Sequence, residues 1–238
     1  MKAMILAAGL GTRLKPWTDH HPKALAEVNG KSLLQLNIEY LQRFRIKEVI
    51  VNVHHFSNQV IDAVNRNNGW GSNVSISDEA DVVLETGGGL KKAAWYFKGE
   101  EDFVLMNADI LTDLDLAAMI HYHQKSDALA TLAVTGRETS RYFLFNDDDV
   151  LCGWRNIKTG EEKSARESTV LQQKAFSGIH VISSKIFPLI NREGKFSMVD
   201  VYLDLAKAQL IKCFDHSGSK FIDVGKPESI ERAAKMFS

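Results

Sequence analysis

Short apolar runs alternate with stretches of helical period through the first 135 residues, and this alternation limits the fold more than any other feature. Residues 2–7, 48–53, 74–77, 102–106 and 128–134 read as buried strands, several of them β-branched. Between them, residues 32–44, 58–67, 90–97 and 114–124 place apolar side chains at helical spacing. Strand–helix–strand repetition implies a mostly parallel sheet with helices on both faces. In such sheets ligands bind beyond the carboxyl ends of the strands. Three motifs fall there: the loop after Ala7, a turn expected at 86–89, and residues 107–109.

Beyond residue 135 the pattern changes. Residues 142–145, 150–154, 176–182, 211–214 and 221–224 read as short strands of a mixed region, with a turn at 146–149. Residues 160–167 are polar and read as a mobile loop. Residues 198–209 are helical in pattern, and Pro227 opens a last amphipathic helix through 236. No linker or repeat interrupts the 238 residues, so a single domain is expected.

Hydrophobic residues make up 45% and charged residues 25%, enough for an ordinary core. The formal net charge of -1 argues against a nucleic-acid or membrane partner. No apolar run nears the ~18–20 residues a bilayer requires. Two cysteines, Cys152 and Cys213, offer no zinc spacing and fit a reduced, cytoplasmic setting.

Ala7-Ala8-Gly9-Leu10-Gly11-Thr12-Arg13 is a turn in which small residues let backbone N–H groups approach an anion, with Arg13 as a fixed cation. A plain tight turn accounts for the glycines equally well. A dinucleotide fingerprint fails at Leu14, where its third glycine belongs, and at His54-His55, where its acid belongs. A P-loop ending at Gly30-Lys31-Ser32 fails at Leu25. Lys23, in a loop ten residues after Arg13, reads equally as a solvated lysine or as a second phosphate cation. His121 and His123 lie two apart on a helical stretch and do not share a face, so they do not suggest a metal site.

The ordered string Leu6-Ala7-Ala8-Gly9-x-Gly11-Thr12-Arg13-Leu14-x-Pro16-x-Thr18, followed by Pro22-Lys23-Ala24-Leu25, resembles the signature of the sugar-1-phosphate nucleotidyltransferases. Further similar motifs stand at residues 84–89, 107–109, 176–179 and 223–225. The resemblance implies a three-layer, Rossmann-like α/β fold with a mixed, mostly parallel sheet. It divides the domain into a nucleotide half, about 1–135, and a sugar half, about 136–238. It also implies that Leu6, Ala7, Ala8, Gly9, Gly11 and Thr12 hold the base and phosphates, and that Arg13 and Lys23 act as catalytic cations on the phosphates. Glu79, Thr86, Gly87 and Gly88 would contact the nucleoside. Asp109 and Asp223 would be catalytic ligands of Mg2+. Asn107, Tyr142, Phe143, Ser177 and Gly178 would meet the sugar. The implied partners are a nucleoside triphosphate and a sugar 1-phosphate, with the protein a monomer or small homo-oligomer.

Those residue types suit the reaction. A phosphate monoester has its second pKa near ~6, so the attacking oxygen is largely ionised at neutral pH and needs no general base. Charge neutralisation and alignment are what the residues must supply. The length and the Phe176-Ser177-Gly178-Ile179 run are most similar to the short bacterial branch that includes N-acetylmuramate 1-phosphate uridylyltransferases, enzymes of cell-wall recycling, and mannose 1-phosphate guanylyltransferase-like proteins. No C-terminal β-helix is expected. Two positions depart from the pattern: Tyr142 stands where an acid usually precedes the phenylalanine, and Ala108 replaces a glycine. A phosphocholine-type acceptor and a non-catalytic regulatory homologue are the alternative readings. All four expected charged residues are present, which weighs against the latter.

Overall fold

A computed structural model describes residues 1–79 and 82–238. The chain opens with β1 (Lys2–Leu6), runs through three short 3-10 turns and the hairpin β2 (Glu27–Val28) and β3 (Lys31–Ser32), and enters α1 (Leu33–Arg43). There follow β4 (Glu48–Val53), α2 (Ser57–Arg66), β5 (Asn73–Asp78), α3 (Glu85–Lys92), β6 (Asp102–Asn107), β7 (Ile110–Thr112), α4 (Leu116–Lys125) and β8 (Ala130–Thr135). The second half contributes β9 (Arg141–Phe145), β10 (Leu151–Asn156), β11 (Glu161–Ser164), β12 (Gln172–Ser183), α5 (Met198–Leu205), β13 (Ile211–Asp215), β14 (Phe221–Asp223) and α6 (Pro227–Met236).

The main sheet runs β5-β4-β1-β6-β12-β8-β13, and in that row β12 alone points the other way. The sheet is therefore mixed but mostly parallel at its centre, as the alternation implied. The first residues of β12, 172–174, pair with β9, which carries β10 and β11 outward as an antiparallel extension.

Period-two alternation in β1 sends Ala3 and Ile5 to one face and Met4 to the other. Leu34, Ile38 and Leu41 of α1 cover the first face together with Val60 of α2 and Met119 of α4. Leu90 of α3 and Val201 and Tyr202 of α5 cover the second. Phe97 stacks on Phe103 at 4.1 Å between ring centres, and Phe103 on Phe187 at 5.4 Å, filling the second core. A third cluster, with Leu14, Leu111, Ile222 and Val224, seats α6 beside β7 and β14. Ser32 caps α1 by accepting from the Gln35 N–H at 3.1 Å, which fixes where that helix starts. None of the described helices is long and apolar enough to cross a membrane.

Three local expectations change. The glycines at 87–89 lie inside α3 rather than in a turn before a helix, and residues 94–97 form a separate 3-10 turn. Packing overrides helix propensity here: a Cβ on Gly88 would sit 2.2 Å from the Gly194 carbonyl oxygen. The polar stretch 160–167 contains β11, a charged edge strand on β10. The helix beginning at Met198 ends at Leu205.

Candidate active site

The site begins where β1 ends. The Ala7 N–H donates to the Asn52 side-chain oxygen at 2.8 Å, tying the turn to the end of β4. Gly11 has φ 62, a left-handed conformation that glycine takes without strain. A Cβ there would lie 2.9 Å from Thr18 Cγ2 and 3.0 Å from Lys23 Cβ. The turn is thus pressed onto Lys23, and the Thr18 hydroxyl locks the contact by donating to the Gly11 carbonyl at 3.0 Å.

Lys23 reaches the end of β6, where its ammonium pairs with the Asp109 carboxylate. Asp109 is held by its own backbone: the Val224 N–H donates to its carbonyl at 2.8 Å. β7 and β14 pair in antiparallel register with Asp223 opposite Ile110, so two aspartates far apart in the chain meet at one edge. Arg13 Nη2 lies 3.7 Å from Asp223 Oδ2. Gly225 is required beside them, because a Cβ would fall 2.7 Å from Asp223 Oδ1 and 2.8 Å from Arg13 Nη2. Desolvation by the cleft wall, and then the neighbouring Asp109, push the Asp223 carboxyl above its ordinary value. Lys23, Arg13 and Arg137 oppose that rise, and the side chain still reaches solvent.

Among the described residues, no three His, Cys, Asp or Glu side chains converge as a metal cage. Asp109 and Asp223 are a two-carboxylate set whose mutual repulsion favours a cation. That suits a hard divalent ion whose remaining ligands are substrate oxygens and water.

Arg137 follows β8 and enters the same space. Its Nη2 donates to the Phe176 carbonyl at 2.6 Å, its Nη1 to Thr135 Oγ1 at 2.9 Å, and its guanidinium lies 4.4 Å from the centre of the Phe221 ring. Burial lowers its pKa, and Asp223 partly offsets this. The space is a cleft of about 690 Å³, within the range of small-molecule sites. Leu6, Ala7, Ala8, Gly9, Asn107, Asp109, Phe143 and Trp154 are among the residues that line it.

The model of the nucleotidyl transferase family matches residues 2–237. The chain belongs to the nucleotidyl transferase family. N-acetylmuramate alpha-1-phosphate uridylyltransferase of Neisseria meningitidis serogroup B is 39% identical over 118 residues, 50% of this chain and 51% of that protein. The protein of the same name from Caulobacter vibrioides is 31% identical over 212 residues, 86% of this chain and 84% of that protein. The chain spans only 51% to 61% of the length of several curated relatives it matches. Among solved structures, HddC from Yersinia pseudotuberculosis, complexed with GMP-PN, superposes with a TM-score of 0.76 at 26% identity, covering 100% of this chain and 99% of that one.

In this nucleotidyl transferase the expected site residues divide into two groups. Leu6, Ala7, Ala8, Gly9, Lys23, Thr86, Asn107, Asp109, Phe143 and Asp223 line the cleft, with Arg13 at its rim. The others do not line it. Glu79 is 1% exposed, and its carboxylate accepts from the Asn52 amide at 2.7 Å and the Leu84 N–H at 3.2 Å. It braces Asn52 and does not line the cleft. The Gly87 and Gly88 N–H groups are spent on the Phe196 carbonyl, at 2.9 and 3.2 Å. The Tyr142 hydroxyl accepts from the Thr139 N–H at 2.9 Å and fixes the turn after Arg137. Ser177 bonds His216 Nε2 at 2.8 Å, and Gly178, at φ 74, leaves room for the Asn107 amide. Gly11 supports the turn from beneath, and Thr12 opens an exposed 3-10 turn. Sequence reasoning missed Arg137 and Asn52. The available signal was position: each sits at or just after the end of a strand whose neighbours supply the motifs.

Proposed function

We propose that this chain transfers a nucleotidyl group from a nucleoside triphosphate to a sugar 1-phosphate, and that its preferred pair is UTP with N-acetylmuramate 1-phosphate. The observation that carries the reaction is the meeting of Asp109 and Asp223 with Lys23, Arg13 and Arg137 at one end of a single cleft. The sugar phosphate oxygen bonds to the α-phosphorus as the α-phosphorus–oxygen bond to the β-phosphate breaks, and pyrophosphate leaves. No proton need be removed from the nucleophile, consistent with a cleft end that offers charges rather than a base.

Asp109 and Asp223 would hold Mg2+, which when bound neutralises phosphate charge during transfer. Lys23 and Arg13 bind the phosphates from the turn side. Arg137, fixed by its bonds to Phe176 and Thr135, meets them from the end of β8. The Ala7–Gly9 backbone and Thr86 edge the space for the nucleoside, while Phe143 and Trp154 edge the space for the sugar.

The choice of N-acetylmuramate rests on the two uridylyltransferase relatives. A guanine nucleotide is the second reading, favoured by the guanine ligand in the Yersinia structure. Pyrophosphate release with magnesium, measured for UTP, GTP, CTP, dTTP and ATP against a panel of sugar 1-phosphates and phosphocholine, tests both. One strong pair with UTP and N-acetylmuramate 1-phosphate is expected. A strong GTP pair selects the second reading, and silence over the whole grid rejects the transfer reaction.

A further inference from the structure

The wall of the cleft formed by β9, β10 and β11 has its own chemistry. Register places Phe143 opposite Trp154, and Trp154 opposite Lys163, so these three side chains share one sheet face. Arg141 lies two residues before Phe143 and therefore on that same face. All four line the cleft. Trp154, partly buried, offers an aromatic surface of the kind on which the C–H face of a pyranose rests, and Phe143, 2% exposed, packs it onto the core.

The two cations beside them are not equivalent. Lys163 is committed, with its ammonium 3.2 Å from Asp200 and 3.6 Å from Glu161 and 5.5 Å from the Trp154 ring centre. Arg141 has no ion-pair or hydrogen-bond partner for its guanidinium among the described residues and stands exposed in the cleft. Glu138, the acid preceding it in the turn, does not line the cleft. The anomeric phosphate already has Lys23, Arg13 and Arg137 at the β6–β7–β14 end. A free guanidinium beside the sugar surface is therefore surplus to phosphate binding.

We infer that Arg141, on the same sheet face as Trp154 and lining the cleft, selects a sugar 1-phosphate that carries a carboxylate in addition to its phosphate. The assignment rests on the nucleotidyl-transfer reading and makes Arg141 its specificity residue. A guanidinium meets a carboxylate through two parallel N–H bonds, a geometry that an ammonium or a neutral amide does not reproduce. N-acetylmuramate and N-acetylglucosamine differ by the lactyl ether that bears such a carboxylate, so the pair isolates the charge.

The test compares kcat/KM for the 1-phosphates of these two sugars in the wild-type protein, Arg141→Gln and Arg141→Lys, with the exposed Lys158→Ala as control. The wild type is expected to prefer the acidic sugar. The preference should fall roughly 10- to 100-fold in Arg141→Gln, mainly through KM, as for loss of a charged hydrogen bond. Arg141→Lys should recover part of it, and Lys158→Ala should leave it intact. A wild type that favours the neutral sugar, or an Arg141→Gln variant that slows both sugars equally, overturns the inference while transfer itself stands. Calorimetric binding of UDP-N-acetylmuramate and UDP-N-acetylglucosamine separates the two claims. Absent turnover with an acidic preference that Arg141→Gln abolishes rejects the reaction and keeps the assignment. Binding without preference rejects the assignment.

Discussion

The Asn37 amide, buried in α1, donates to the carbonyls of Leu33 at 2.8 Å and Ala108 at 2.9 Å. One side chain therefore joins a helix on one face of the sheet to the peptide immediately before Asp109. Replacing Asn37 with leucine leaves the Ala108 carbonyl without this buried partner. A loss of about 1–3 kcal/mol in urea unfolding is expected. Pyrophosphate release should fall in the folded variant as well, because Asp109 loses its brace. Full activity at reduced stability would confine Asn37 to a structural role.

Asp109→Ala should abolish pyrophosphate release with little change in the unfolding midpoint, since among the described residues its side chain bonds Lys23 alone. Lys23→Ala should slow the reaction roughly 10²-fold or more if alignment dominates. Steady-state kinetics on both variants decides this, and normal rates in the aspartate variant would remove it from the mechanism.

Arg137→Ala removes a cleft cation together with its bonds to Phe176 and Thr135. Arg137→Lys keeps charge but not the planar fork that spans two partners. Both variants should lose rate, the alanine one by roughly 10²-fold or more if Arg137 aligns phosphate as proposed. A lysine variant with wild-type kinetics would show that charge alone suffices.

Burial holds the His180 imidazole down at about 3, and burial also holds His216 at about 4. Both are neutral in the folded protein, whereas the unfolded chain protonates them near ~6.5. The unfolded state thus binds more protons below that value. Their stabilisation is complete above pH 6.5, declines as pH falls, and is exhausted near the folded values. For His180 alone the loss by pH 4 is on the order of 3 kcal/mol. Urea melts from pH 7.5 to 4.5 should show this slope, and His180→Gln should flatten it. His180 also bonds the Tyr202 hydroxyl at 2.6 Å, so a lower plateau is expected in that variant at all pH values.

Gly88→Ala would force a methyl toward the Gly194 carbonyl, 2.2 Å away, in a region where backbone must move to admit it. Overpacking of this kind typically costs about 1–3 kcal/mol. Thermal unfolding of the variant measures it, and an unchanged midpoint would mean that the 194–196 segment shifts freely.

Much of this was legible in the residues. Apolar runs marked β1, β4, β6 and β8, which are buried on both faces and must be apolar, and shorter apolar or alternating stretches marked β5 and β13 at the ends of the row. Arg13, Lys23, Asp109 and Asp223 were legible through an ordered motif, not through chemistry visible at each position. The roles of Glu79, Gly87 and Gly88 were not. A buried carboxylate bracing Asn52 and glycines packed on Phe196 look the same in one dimension as ligand contacts. β7 escaped notice because three residues carry no period, and β11 because an exposed edge strand has no apolar face to reveal it. Arg137 was hidden for a different reason: its partners are the Phe176 and Ala175 carbonyls, the Thr135 hydroxyl and the Phe221 ring, a set that no sequence pattern records.

The pairing of β7 with β14 also sets an order of events in the cell. Asp109 leaves the ribosome more than a hundred residues ahead of Asp223. At ordinary synthesis speeds the wait is roughly 6–23 seconds. Throughout that interval a nascent chain carries the glycine turn, Lys23 and one carboxylate, but not the second. The complete charge cluster is therefore a late product of translation, and a chain stalled before residue 223 lacks half of the carboxylate pair proposed to hold the metal.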